Sequence, residues 1–587
     1  MKSQDRLLRR ARIAFRRALQ GQLAPAQRFG SALAEALRSE SERAEGMSLG
    51  NAQAAALCLD SELAEGMSSG SAQAESTAQL AAWQLALRLV RYLSENDAVR
   101  PASSEVERVA RAAANDEAGE LVLELAERAA LLEGRVADCK HLLAVHEALW
   151  PASIGLRVGQ YAMQVVGGRR EPAEDETELA RTARTRSVAL AIEVIAFRAL
   201  RHLNAGDLAQ AARDARRALM MARTEELSLH RRLAGLVLAR VRRYDGRLHL
   251  SMRVLGSLEH GTATPWRAWL DWERCLLGEA ETSTQSSLSS AASSSERGSR
   301  YAEGWGSEAT PEPARALTDA IDALCRGDMS EFDAARARCE SALAPFTFMK
   351  AEFQGACFLI DPRPTLDAAP DTVREFSAGD IGDVPLGLSG LARTDDSGPG
   401  CVVLLRAGQS SRRLLHHGAI AARQLWDSPC LSLSRMRQGR VDSGLAALAL
   451  AGKAQEHELF HTVYGFPYDD ASHAKALSVL LVRMRDRLEG VGRVVRAEQH
   501  LGIQTEGNLL LPDPRVSGNV EARLLAILAR AGSMSVREVT RELGVSTRLV
   551  QLAFQRLQQA GECSADRAGR RISYSICDET YSASMQR

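Results

Sequence analysis

Two groups of side chains in this 587-residue chain have types and spacings suited to chemistry. The first is His457-Glu458-Leu459-Phe460-His461. On a helix, histidines four apart share a face and could hold zinc, with Glu458 as general base. Such a centre also needs a third ligand. The extended pattern would require Gly at 464 and His at 467, where the chain has Tyr464 and Pro467. Asp470 stands too near, and Asp486 falls inside an arginine-rich helix. The expectation is two unliganded histidines on a helix surface, with no metal site and no catalytic residue. The second group is Ser546, Thr547, Arg548 and Gln551, followed by Arg567, Arg570 and Arg571. Hydroxyl, amide and guanidinium groups at the start of a helix reach phosphates and base edges, and arginines on a hairpin suit a phosphate backbone or minor groove.

The elements that position the second group are legible. Val520–Ala531 reads as a helix ended by Gly532. Ser535 caps Val536–Leu543, ended by Gly544, and Ser546 caps Thr547–Ala560, ended by Gly561. Val539, Leu543, Val545 and Val550 pack the last two helices together. Residues 562–576 then alternate around Ala568-Gly569, as a hairpin does. Residues 520–576 carry nine arginines against five acids, a local excess of +4 in a chain of net charge +0. This segment resembles the bacterial winged-helix superfamily, and the resemblance implies binding to double-stranded DNA.

A similar order precedes it. Val441–Ala451 is an apolar helix ended by Gly452, Gln455–Tyr464 a second, and Ser472 is expected to cap a third that runs to Leu488. A hairpin-like segment closes on 505–511. In the third helix Leu477, Leu481, Met484 and Leu488 form one stripe, and Lys475, Arg483, Arg485 and Arg487 remain for the outside. The residues Glu458-Leu-Phe, Val463-Tyr-Gly-Phe-Pro-Tyr468, Ser472-His473 and Leu481-x-Arg-Met-Arg-x-Arg-Leu488 resemble the effector domain of OmpR-type response regulators and related antibiotic-pathway activators. The resemblance implies DNA contact by Lys475, Arg483 and Arg485. Val479, Leu480 and Val482 depart from it, being apolar where those regulators expose polar residues, so dimerisation or packing on a neighbouring domain is the other expectation for this module.

Residues 1–350 are helical in pattern. In 189–223 small and large apolar residues alternate around Gly206-Asp207, and in 315–343 around Gly327-Asp328. Small residues let helices approach, and the glycine permits the tight turn. Both stretches resemble degenerate tetratricopeptide repeats; a plain helical bundle is the alternative. A near-identical duplication links 41–50 to 61–70 and carries no functional weight. Residues 281–299 are serine-rich, as a disordered loop is. Residues 361–400 are rich in Pro, Gly and Asp.

The expected fold is mainly α: a helical-repeat region over 1–350, a linker over 351–400, and two α+β winged-helix domains over 401–512 and 519–578. The ten cysteines are scattered with no C-x-x-C pair, as reduced cytosolic cysteines are. Leu7, Leu8, Ala11, Phe15 and Ala18 make the basic N-terminus an amphipathic helix rather than a targeting peptide. No apolar run approaches a membrane span, so a cytoplasmic protein is expected. No Gly-rich phosphate loop, supportable Ser-His-Asp set, paired carboxylates or receiver aspartates are visible, and neither an enzyme nor a cofactor is expected. The expected function is a DNA-binding transcription regulator whose helical region senses a protein or a ligand, its concave surface suiting a peptide or protein better than a small metabolite. Such regulators often bind paired half-sites as homodimers. The competing reading is a protein-interaction scaffold.

Overall fold

The computed structural model describes residues 2–19, 71–95, 98–172, 176–258, 264–277, 312–344, 346–364, 388, 391, 401–406, 411–431, 439–497, 500–515, 520–568 and 571–577. The serine-rich 281–299 and the duplication at 41–70 lie outside them. The fold is mainly helical, with small antiparallel sheets towards the C-terminus. No helix among the described residues is long and apolar enough to cross a membrane.

The chain divides into two compact units, the first Met1–Val241 with Ser257–Leu270, the second Arg242–Gly256 with Asp271–Arg587. Helices α1 (Lys2–Leu19), α2 (Ser71–Ser94), α3 (Ser103–Ala112), α4 (Glu117–Leu132), α5 (Val136–Leu149), α6 (Ile154–Val166), α7 (Glu176–Arg186), α8 (Val188–Asn204) and α9 (Leu208–Thr224) belong to the first. Of the apolar residues expected on one face of α1, Ala11, Phe15 and Ala18 are buried, with Ala14 beside them; the side chains of Leu7 and Leu8 lie outside the described residues. The division of the chain falls within α10 (Ser228–Tyr244), α11 (Leu248–Leu258) and α12 (Thr264–Leu276).

One turn recurs. Between α8 and α9, Gly206 takes φ +82°, and the Asp207 carboxylate accepts a hydrogen bond from Gln210 N at 3.0 Å. A side chain at positive φ costs about 1–2 kcal/mol, which glycine avoids. Ala211, Ala215, Ala218 and Ala222 on α9 are wholly buried, so the two helices approach at alanine distance. The same device joins α13 (Glu312–Arg326) to α14 (Met329–Ala342): Gly327 has φ +76°, and Asp328 accepts from Glu331 N at 2.9 Å. Gly134 after α4 and Gly246 after α10 take the same positive φ.

α15 (Thr347–Ile360) follows. It buries Met349, Phe353, Phe358 and Ile360, so residues 351–360 belong to a packed helix and the linker expected there begins later. Beyond it, β1 (Cys401–Leu405), β2 (Arg412–Leu415) and α16 (His416–Trp426) precede α17 (Gly439–Ala451), β3 (Ala454–Gln455), α18 (Glu456–Tyr464), α19 (Asp470–Leu488), β4 (Arg493–Ala497), β5 (His500–Gln504) and β6 (Leu509–Pro512). One sheet has the order β2-β1-β6 and the next β3-β5-β4. Pairing of Val403 with Leu511 brings the two ends of 401–512 together. The cap of α19 is a correction: Asp469 holds it, accepting from Ser472 N at 3.2 Å. Asp469 stands one residue before the first helical turn, where an acceptor meets the open N–H groups, whereas Ser472 is already inside.

The last part is α20 (Val520–Ala531), β7 (Ser533–Met534), α21 (Val536–Leu543), α22 (Thr547–Gln559), β8 (Cys563–Ala568) and β9 (Arg571–Ile576), with sheet order β7-β9-β8. Leu524, Leu525, Leu528, Val539, Leu543, Val550, Phe554 and Leu557 form its core. Leu250 of α11 belongs to the same core. Beside it, Arg253 donates to the Ile576 carbonyl at 3.1 Å, and His249 lies 3.4 Å from the Glu562 carboxylate.

Candidate nucleic-acid interface

The first turn of α22 is held out by what lies behind it. Ser535 and Glu538 form a reciprocal cap on α21: Ser535 N donates to the Glu538 carboxylate at 2.8 Å, and Glu538 N donates to Ser535 Oγ at 3.4 Å. Gly544, at φ +65°, turns the chain into α22. Val539, Leu543 and Val550 close the angle between the helices, and Phe554 stacks on Tyr574 of β9 with ring centres 3.8 Å apart. Ser546, Thr547, Arg548 and Gln551 are all exposed as a result. The peptide N–H groups and the positive end of the helix dipole sit among them, an arrangement that receives a phosphate. Ser546 has a second task, since its Oγ caps the helix by accepting from Leu549 N at 3.4 Å.

On the hairpin, Arg567 is exposed and pairs in register with Ile572, while Arg571 pairs with Ala568 at the tip. Arg570 lies outside the described residues. Arg537 and Arg541, one turn apart on the exposed side of α21, extend the basic surface and were not singled out from the sequence. The signal was present: once Val539 and Leu543 mark the inner face, 537 and 541 must lie outside it.

The earlier module is different. Leu477, Leu481, Met484 and Leu488 are buried as the spacing predicts, and Leu480 joins them. Leu480 is therefore core rather than an apolar intruder on the outer face. Val479 and Val482 are exposed, at 43% and 51%. Lys475, Val479 and Val482, spaced four and three apart, form the outward stripe. Lys475, Arg483 and Arg485 are exposed, but positions two apart do not share a helix face, so Arg483 and Arg485 flank that stripe on opposite sides. Arg487 is not an outer cation: it is half-buried, with its Nε donating to Asp442 at 3.2 Å.

His457 and His461 are exposed on α18. The Glu458 carboxylate between them accepts from Gln455 N at 2.9 Å and closes the first turn of the helix. Its geometry is that of a cap. Among the described residues no third His, Cys, Asp or Glu completes a set able to hold a metal ion.

No family model, curated protein or solved structure matches this chain, so its function rests on the geometry above.

Proposed function

We propose that this protein is a cytoplasmic DNA-binding transcription regulator: helical repeats of tetratricopeptide kind over 1–350, an OmpR-like winged helix over 401–512, and a second winged helix over 519–578. The observation that carries it is the exposed first turn of α22, bearing Thr547, Arg548 and Gln551 on a helix fixed from behind by α21. Exposed arginines on α21 (Arg537 and Arg541) and on the hairpin (Arg567) add phosphate-binding cations to the module whose turn offers the base-reading groups. The positive-φ glycine turns at Gly134, Gly206, Gly246 and Gly327 support a helical-repeat region, which senses a protein partner or a ligand.

Val479 and Val482 favour another role for the first module. Exposed valines at the centre of an outward stripe gain nothing from phosphate. They suit contact with protein, and we assign that face to homodimerisation.

The test is titration of the full-length chain with random-sequence duplex DNA over a salt series. Binding that weakens steeply with salt, and falls when Arg548 becomes Ala, is expected. Absence of binding at low salt would turn the reading to a protein-interaction scaffold.

A further inference from the structure

The first unit contains a cavity of about 470 Å³, within the size range of small-molecule pockets. Three indole rings, Trp83 from α2 and Trp266 and Trp269 from α12, join leucines, Phe15 and Phe197 in its apolar wall. Trp266 is fixed by donating its Nε1–H to the Leu93 carbonyl at 2.8 Å. Trp83 is 2% exposed, and its indole N–H has no hydrogen-bond partner.

The charged groups on the wall are not equivalent. Glu193 is fully used: Arg128 Nε donates to it at 2.7 Å, and His230 Nε2 lies 3.3 Å from its other oxygen. Arg186 is held by Glu120. Glu124 is 8% exposed, and its Oε1 accepts no hydrogen bond. The nearest cation to that oxygen is Arg186 at 3.9 Å, beyond hydrogen-bonding reach. Gly155 of α6 makes room for this carboxyl, since a Cβ there would collide with it. A buried acceptor left unmade costs about 1–3 kcal/mol, which a bound donor would relieve.

We propose that this cavity binds a small aromatic amine, its ammonium on Glu124 and its ring among the three indoles. The arginines on the wall are already committed to carboxylates, so the spare charge is the carboxylate of Glu124, which suits a cation, while the neutral Trp83 N–H stays open to a ligand acceptor. Indole faces attract cations and stack on rings. Burial pushes the Glu124 carboxyl up to about 7, so the site takes a cation most readily above neutral pH. The assignment deepens the sensing half of the function proposed above and rests on the first unit being the sensor, but it does not depend on DNA binding.

The experiment is equilibrium titration of the full chain, without DNA, by tryptophan fluorescence at pH 8. The probes are 2-phenylethylamine, tryptamine, phenylacetate and 2-phenylethanol. Saturable binding of the amines, tighter than either oxygen analogue, is expected. Glu124→Gln should weaken the amines at least about tenfold, or 1.4 kcal/mol, and leave 2-phenylethanol unchanged. Ala189→Phe, which fills the cavity from α8, should abolish binding of all four, and it decides the matter if the Gln variant does not fold. Phenylacetate binding as well as the amines would overturn the proposal. So would absence of amine saturation up to about 1 mM, or amine binding that survives Ala189→Phe. Because no DNA is present, these outcomes are separate from those of the salt titration.

Discussion

Arg413 on β2 donates its Nε to Asp513 Oδ2 at 2.8 Å, with both side chains almost wholly out of water. Asp513 follows β6, and its own N–H binds the Cys401 carbonyl at 3.0 Å. The ion pair therefore ties the two outer strands of the β2-β1-β6 sheet across the central one. Asp513 also accepts from Arg515 Nε at 2.8 Å, so removing Arg413 leaves the buried carboxylate one ion pair and should cost less than the about 3–5 kcal/mol of an unpaired buried charge. Arg413→Met should lower the urea midpoint of the C-terminal unit accordingly. Restoring stability by adding Asp513→Leu is the expected second result, and failure of both changes to move the midpoint would refute the role given to this pair.

The first unit should respond to alkaline pH through His146. That ring is fully buried, with Nδ1 2.8 Å from Glu127 and Nε2 3.9 Å from Glu120. Burial alone lowers its pKa, but the two carboxylates outweigh burial and raise it from 6.5 to about 9. A group raised in the folded state contributes fully below its unfolded value and loses that contribution as pH rises through the folded one. Stability of α4 and α5 should fall between pH 6.5 and about 9, read by hydrogen exchange. His146→Gln should flatten that part of the profile.

At acid pH Glu120 and Glu193 act in the opposite sense. Burial raises each, but for Glu120 the neighbouring His146, Ser153 and Arg186 prevail, and for Glu193 Arg128 and His230, bringing both to about 2. Their contribution is present above the ordinary carboxylate value and is lost as pH falls towards 2. An acid unfolding transition of the first unit, shifted to higher pH by Arg128→Met, is the expected observation.

The scaffold behind α22 can be tested apart from DNA. Ser535→Ala removes the cap of α21 and should cost about 1 kcal/mol. Gly544→Val forces a β-branched residue to φ +65° and should cost at least about 1–2 kcal/mol. Both should reduce thermal stability of the last module. Equal stability of Gly544→Val and the parent would mean that the turn is formed differently.

For the interface itself, Arg548→Ala should lower affinity and relax sequence preference, whereas Arg567→Ala should lower affinity for all duplex sequences and reduce the slope of log K against log salt by about 1. Val479→Lys, on the outward stripe of α19, should leave DNA affinity per protomer unchanged and weaken self-association in analytical ultracentrifugation. A steep gain in DNA affinity from Val479→Lys would instead place that helix against phosphate.

The last module was legible almost residue by residue. Its helices are short and punctuated by chemistry with one local meaning: Ser535 and Ser546 as caps, Gly532, Gly544 and Gly561 at positive φ. The glycine turns at Gly206 and Gly327 were legible for the same reason. What escaped was set by distant partners. Glu120, Glu124, Glu127 and His146 carry the spacing of an ordinary solvated helix face, and only the helices packed around them make them interior. The resemblance to OmpR-type effector domains grouped Val479, Leu480 and Val482 on the outer face, whereas the width of the buried stripe separates Leu480 from the other two. Arg487 read as an outer cation because Asp442, its partner, is 45 residues away.

Leu250, His249 and Arg253 bear on the order of assembly. The last module completes its core with a leucine more than 270 residues earlier, and Arg253 holds the carbonyl of Ile576 across 323 positions. Closing so long a loop comes late in folding and slows it. α11 precedes residues 520–576 in the chain, so during synthesis Leu250 lacks this part of its packing until they follow. A fragment beginning at 401 would carry the exposed first turn of α22 with a gap where Leu250 sits, so its stability would understate that of the module in the intact chain.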